Sequence, residues 1–230
     1  MSKTYNRLRI YFVRHGETRT EGRNLFNGWT DVDLTDKGRS QLEDAAKALE
    51  PIPFDRVISS DLYRARYGGG LIARGSGVAL EVDREWREMN FGDCEGLEFK
   101  EIRERFPELA EKVMDPSEAV IFFPGGESDR EFINRIGKAV AKLVSETPDG
   151  RVALVSHSGT MRAALASLFG FTTKVMWSYH QTHASLNVVD VYPGGSAVAR
   201  VVNAYLGPEG YASPGPGLDF LIGAEGGPAE

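Results

Sequence analysis

Short apolar, β-forming runs alternate with stretches of helical period along most of this chain, and that alternation narrows the fold more than any other feature. The strand-like runs cover residues 8–13, 56–59, 78–82, 152–156, 185–191 and 197–202. Between them, residues 36–49 set Leu42, Ala45, Ala46 and Leu49 at helical spacing behind Thr35, a good N-cap. Residues 129–146 align Phe132, Ile133, Ile136, Val140 and Leu143 in the same way, residues 61–73 read as a further helix, and 159–169 follow their strand directly. Parallel neighbours need crossover connections, so the pattern predicts a single-domain α/β fold with a mostly parallel central sheet flanked by helices.

Three segments depart from this rhythm. Residues 97–123 read as a small helical insertion carrying Lys100, Arg103 and Arg105. From Gly207 the chain turns Gly/Pro-rich, which divides it into a domain over 1–206 and a loosely held tail over 207–230, with Phe220, Leu221 and Ile222 able to pin part of that tail to the body. Gly68, Gly69 and Gly70 fall inside a helical pattern, where each costs about 1 kcal/mol relative to alanine, so either the helix stops early or another element packs close against it. A nucleotide-cradling glycine loop is the poorer reading, because these glycines follow a helix and not a strand.

The balance of charge and cysteine limits the function classes. A formal net charge of -6 argues against broad affinity for nucleic acid or anionic membrane. The single cysteine, Cys94, allows no intrachain disulfide and no all-cysteine metal cage, and fits a reducing cytoplasm. The opening run of four apolar residues at 10–13 is too short for a secretory signal, and nothing reaches the roughly 20 apolar residues of a membrane span. A soluble cytoplasmic protein follows, with a homodimer left open.

Two strands end alike. "YFVRHG" closes the first and "ALVSHSG" the one at 152–156, so His15 and His157 both stand at carboxyl ends of apolar strands, the edge where open α/β sheets bind ligands. Two histidines there could bind a metal, relay protons, or act as nucleophile and stabiliser; either one alone would serve equally well as a hydrogen-bonded structural residue. The third strand leads into "SSDLYRA", which aims Arg64 at the same edge, and "EWREMNFGDCEG" supplies Glu88. Arginine forks take phosphate oxygens in pairs, a neutral histidine can attack phosphorus, and a carboxylic acid can protonate a leaving oxygen.

The blocks "RHGET", "SSDLYRA", "REMNFGDCEG", "PGGES" and "SHSGTMR" resemble, in order and rough spacing, those of the histidine phosphatase superfamily, the phosphoglycerate mutase-like family, over about residues 8–191. The resemblance implies that His15 is the nucleophile and forms a phosphohistidine. It implies that Arg14, Arg64 and His157 hold the phosphoryl oxygens, and that Glu88 is the proton donor that afterwards activates water. No cofactor and no metal is implied, since Arg14, Arg64 and, if protonated, His157 would supply the positive field. Gly16, Asn24, Gly28, Ser158 and Gly159 are the candidate substrate-binding positions, Gly16 by allowing a phosphate close to the backbone. The partner is then a small-molecule phosphate ester.

The chain also departs from that family. Where members often carry an asparagine six residues after the nucleophile, this sequence has Glu21, and Asn24 is the nearest substitute. "GWTDVDLT" strongly resembles the loop of the mutases, yet the segment between Gly96 and Pro124 is short and lacks the mutases' neighbouring arginine pair, which favours a phosphatase over a 2,3-bisphosphoglycerate-primed mutase. A phospholigand-binding protein with impaired catalysis is the third reading.

Several residues have blander readings. Glu17 suits a helix start and Glu85 the solvent. His180 and His183 form an H-x-x-H pair that reads as pocket wall more than as metal ligands. Trp86 and Phe123 lie near the motifs in sequence and are candidates for the pocket lining. "PGGES" with Arg135 suits loop positioning, and "VSHSG" does not fit the nucleophile elbow that Ser156 or Ser158 would need.

Overall fold

Strand β1 (Leu8–Arg14) is covered on both faces, which is why its apolar residues run on without alternating with polar ones. Leu8, Ile10 and Phe12 pack into one half of the core, Tyr11 and Val13 into the other. In this computed structural model, which describes residues 7–20, 23, 25–114, 120–207 and 210–211, β1 pairs in parallel with β4 (Gly150–Ser156) and antiparallel with β5 (Ser185–Val191). Strands β2 (Arg56–Ser59) and β3 (Leu80–Val82) continue the parallel side. Strands β6 (Ala197–Gly207) and β7 (Gly210–Tyr211) continue the antiparallel one, giving the order β3-β2-β4-β1-β5-β6-β7. The α/β layering expected from the alternation is present.

Helices α1 (Asp36–Leu49) and α2 (Tyr63–Ser76) cover one face of the sheet. Helix α1 starts where the sequence predicts: the Thr35 hydroxyl accepts the Gly38 amide at 2.9 Å, and Leu42, Ala45 and Leu49 are buried. Short helices α3 (Phe99–Arg105) and α4 (Pro107–Met114) form the insertion, the first opened by a reciprocal cap between Glu98 and Glu101; residues 115–119 of the expected insertion lie outside the described residues. On the other face lie α5 (Asp129–Glu146), opened by a Ser128/Glu131 capping box, and α6 (Ser158–Phe169), followed by the single turn α7 (Thr173–Met176).

The differences from the sequence reading are at boundaries, and each has a long-range cause. Helix α2 begins two residues later than expected because the Asp61 carboxylate is taken by Arg87, in bonds of 2.7 and 2.6 Å, while Asp31 caps the Tyr63 amide at 2.8 Å. It ends later, at a left-handed Gly77, and the Val78 amide turns back to the Ala73 carbonyl at 3.1 Å. That turn removes Val78 from the strand, so β3 starts at Leu80. The glycine run does not stop the helix: Gly68 packs on Leu42 and Gly69 on Ser59 of β2. Strand β6 extends past residue 202 to Gly207, and Gly207 and Leu206 pair with Gly210 and Tyr211, so the tail begins as sheet. Phe220, Leu221 and Ile222 lie outside the described residues. Among the described residues no helix is long and apolar enough to cross a membrane.

Candidate active site

The parallel register fixes the first two residues of the site. Arg14 ends β1 opposite Ser156 of β4, and the His15 amide extends the ladder by donating to the Ser156 carbonyl at 2.9 Å. The next residue of β4 is His157, so adjacent strand ends deliver the two histidines side by side, with ring centroids 5.3 Å apart. A third ring, His183 from the loop before β5, lies 5.6 Å from His15 on another side.

The hydrogen bonds decide the protonation of each ring. His15 Nδ1 is 2.7 Å from the Gly16 carbonyl, which can only accept; Nδ1 therefore carries the proton and Nε2 keeps its lone pair. Burial and then the adjacent Arg14 and Arg64 charges hold the His15 imidazolium well below its usual range. His157 has the opposite tautomer. Arg64 Nε donates to its Nδ1 at 3.2 Å, so Nε2–H donates to the Ser60 hydroxyl at 2.9 Å. Burial and then the Arg64 and Arg14 charges hold the His157 imidazolium well below its usual range as well, which disfavours the condition under which this ring would add positive charge. It is fully buried behind the cavity wall and not on it.

Two arginines supply the positive charge. Arg64, 1% exposed, is threaded under the 27–30 loop, donating to the Thr30 carbonyl at 2.9 Å and the Gly28 carbonyl at 2.6 Å. Burial lowers its pKa to about 10, so it stays charged at neutral pH. Arg14 donates to the Gln181 carbonyl at 2.6 Å and to His183 Nε2 at 2.8 Å. The carboxylate of the site, Glu88, is oriented by two amides, Met89 to Oε1 at 2.9 Å and Gly159 to Oε2 at 2.8 Å.

These groups border a cavity of about 420 Å³ lined by Arg14, His15, Thr18, Thr20, Leu25, Asn27, Val32, Arg64, Glu88, Ser158, His180, Thr182 and His183. Four of the five catalytic candidates and Ser158 are therefore on its wall, and His180 and His183 are pocket wall. Gly16, Gly28 and Gly159 are not among these lining residues. Gly16 backs onto Gly38 of α1, so closely that a Cβ would lie 2.1 Å from the Gly38 carbonyl oxygen; the absent side chain admits the helix. Gly28 holds Arg64 through its carbonyl, and Gly159 holds Glu88 through its amide. Asn24 and Glu21 lie outside the described residues. Trp86 and Phe123 are core residues away from this cavity.

Asn27 and Glu95 were not legible as part of the site, whereas Arg135 and Glu17 keep the structural roles their motifs suggest. Asn27, one position before the "GWTDVDLT" block, reaches the cavity and donates to the Thr20 hydroxyl at 2.7 Å, which in turn lies 3.0 Å from that of Thr18. Glu95 gathers the amides of Gly28, Trp29, Thr30 and Phe91 and so shapes the loop over Arg64. Arg135 pairs with Glu127 of "PGGES" at 2.7 Å and donates to the Glu85, Arg87 and Glu88 carbonyls, bracing the segment that carries Glu88. Glu17 pairs with Thr35 and Lys37 at the start of α1. Among the described residues no group of three or more His, Cys, Asp or Glu is placed to hold a metal ion.

The model of the histidine phosphatase superfamily (branch 1) matches residues 10–204. The chain belongs to the histidine phosphatase superfamily. Within this superfamily it is 29% identical to the adenosylcobalamin/alpha-ribazole phosphatase of Salmonella typhimurium over 86% of this chain and 96% of that protein. It is 32% identical to a 2,3-bisphosphoglycerate-dependent phosphoglycerate mutase of Cytophaga hutchinsonii over 69% and 76% of the two chains. The native structure of a mycobacterial glucosyl-3-phosphoglycerate phosphatase superposes with a TM-score of 0.75 at 27% identity, covering 85% of this chain and 98% of that one.

Proposed function

We propose that this phosphoric monoester hydrolase works through a covalent phosphohistidine on His15. The observation that carries the reading is the His15 tautomer: a proton fixed on Nδ1 by the Gly16 carbonyl leaves the Nε2 lone pair free beside two buried-to-half-buried arginines. In the first step the Nε2 lone pair attacks phosphorus, the bond to the ester oxygen breaks, and the Glu88 carboxyl gives that oxygen its proton. In the second, the Glu88 carboxylate takes a proton from water, the hydroxide displaces the imidazole, and inorganic phosphate leaves. Arg14 and Arg64 offset the charge of the equatorial oxygens, and because neutral acceptors hold them in place no reorganisation is needed during reaction. Neutral His157 supports this by locking Arg64 Nε.

The wall favours an ester of an uncharged polar alcohol. Beyond the phosphoryl end the cavity presents Thr18, Thr20, Asn27, Thr182 and Ser158, with Leu25 and Val32, and among its described lining residues the arginines are Arg14 and Arg64 and there is no lysine. A carboxylate or second phosphate on the substrate would meet hydroxyls, His180 and Glu88, with neither an arginine nor a lysine among the described lining beyond the phosphoryl end. This is why the phosphatase reading stands ahead of the mutase one despite the Cytophaga relative.

The test is hydrolysis of p-nitrophenyl phosphate in EDTA by the wild type and His15→Ala. Turnover in the wild type that falls about a thousandfold or more in the variant is expected; equal turnover overturns the mechanism. A panel containing α-ribazole 5′-phosphate, glucosyl-3-phosphoglycerate and 3-phosphoglycerate with 2,3-bisphosphoglycerate then reads the substrate class. Preference for the carboxylate-bearing esters, or interconversion of phosphoglycerates, would reverse the reading of the wall.

A further inference from the structure

The H-x-x-H segment is absorbed by neither a metal nor the reaction as written, yet it reaches the centre of the site. Arg14 Nη1 donates to the Gln181 carbonyl at 2.6 Å and Nη2 to His183 Nε2 at 2.8 Å, so one short loop holds the guanidinium by two acceptors. The loop is itself tied to the nucleophile, because the Ala184 amide donates to the His15 carbonyl at 3.0 Å. An arginine has no acceptor, which forces His183 Nε2 to be the bare nitrogen of a neutral ring.

Neutrality is the point of using an imidazole here. A carboxylate would hold Arg14 more tightly, but it would cancel the charge that a phosphoryl group needs and repel its oxygens. A neutral acceptor orients the fork and leaves its charge available, as the Thr30 and Gly28 carbonyls do for Arg64. We propose that His183 is a positioning residue that aims Arg14 at the phosphoryl oxygens through its unprotonated Nε2. The groups around it favour that state on balance: burial and the Arg14 charge, with Lys37 and His180, outweigh the Glu17 carboxylate and lower its pKa to about 4. The inference rests on the phosphatase reading, but phosphate binding makes it separately decidable.

The experiment compares His183→Phe, a flat ring without an acceptor, with His183→Gln, whose amide oxygen can take the place of Nε2. Turnover of p-nitrophenyl phosphate and the dissociation constant of inorganic phosphate are measured for both, alone and with Arg14→Ala. Losing an acceptor to a charged donor is expected to lower kcat/KM and phosphate affinity by about 10- to 100-fold in His183→Phe. His183→Gln should recover to within about threefold, and His183→Phe should add little once Arg14 is gone. A wild-type-like His183→Phe, a His183→Gln as poor as His183→Phe, or losses that multiply with Arg14→Ala would each overturn the proposal. Nitrogen NMR of the wild type decides it without any variant. A neutral His183 protonated on Nδ1 is required, and an imidazolium or an Nε2–H tautomer at neutral pH would overturn it. If the wild type hydrolyses nothing, the phosphatase reading fails while phosphate binding and the NMR tautomer still judge this one.

Discussion

Glu88 illustrates how much of a residue's role is set by what it does not touch. Its carboxylate is held by the Met89 and Gly159 amides and has no arginine bonded to it, although Arg64 and Arg14 line the same cavity. That leaves it free to exchange a proton with the ester oxygen and not merely to balance charge. For Glu88→Gln, rapid mixing is expected to show a burst of nitrophenolate with p-nitrophenyl phosphate, since that leaving group needs no proton. The burst should be followed by slow turnover for want of a base. Phosphorylation of His15 by an alkyl phosphate should fall by about 10²- to 10⁴-fold. Equal losses of the phosphorylation step with both esters would remove Glu88 from the acid role. At this scale the sequence was informative wherever a residue stands at a strand end or inside a contiguous block, as Arg14, His15 and Glu88 do. It was silent on Asn27, Thr18 and Glu95, whose positions depend on how the 18–34 loop closes over Arg64.

At the scale of elements, the glycine run of α2 shows why a local cost is tolerated. A Cβ on Gly69 would lie 2.8 Å from the Ser59 Cβ and 3.0 Å from a Leu80 methyl, whereas one on Gly70 would meet nothing within 4 Å. The helix thus lies almost on β2, and β2 leads directly to Ser60, the hydroxyl that fixes the His157 ring. Gly70→Ala is expected to raise stability by up to about 1 kcal/mol, the helix-propensity gain with no clash. Gly69→Ala should lose about 1–3 kcal/mol from overpacking against the strand, and should lower turnover by shifting Ser60 and His157. Urea unfolding of both variants checks this; stabilisation by both, or destabilisation by both, would refute the close-packing account. The helix periods of α1 and α5 were legible because a single buried stripe writes them. The ends of α2 and β3 were not, because Asp31, Arg87 and the left-handed Gly77 turn set them from outside the local pattern.

For the molecule as a whole, the two-sided burial that made β1 and β4 readable as strands has a consequence at their ends. The same register that brings His15 and His157 together buries both, 7% and 0% exposed, among two arginines. Their folded pKa values lie well below the ordinary 6.5, so below about pH 6.5 the unfolded chain takes up protons that these two rings refuse. Above that pH they contribute no pH dependence; beneath it stability falls as acid is added, until the folded pKa values are reached. Each ring costs up to about 1.4 kcal/mol per pH unit in that window. Carboxylates with depressed pKa values, such as Asp190 beside Arg9 and Asp61 beside Arg87, also lose stability in acid, but only from their lower unfolded values downward. The decline between about pH 6.5 and 5 is therefore expected to belong to the histidines. Urea midpoints measured across that range should drop steeply for the wild type and less steeply for His157→Gln, whatever the absolute stability of the variant. Parallel curves would mean that His157 takes up its proton in the folded state after all, and with it meets the condition under which the motif resemblance lets it add positive charge at the phosphate.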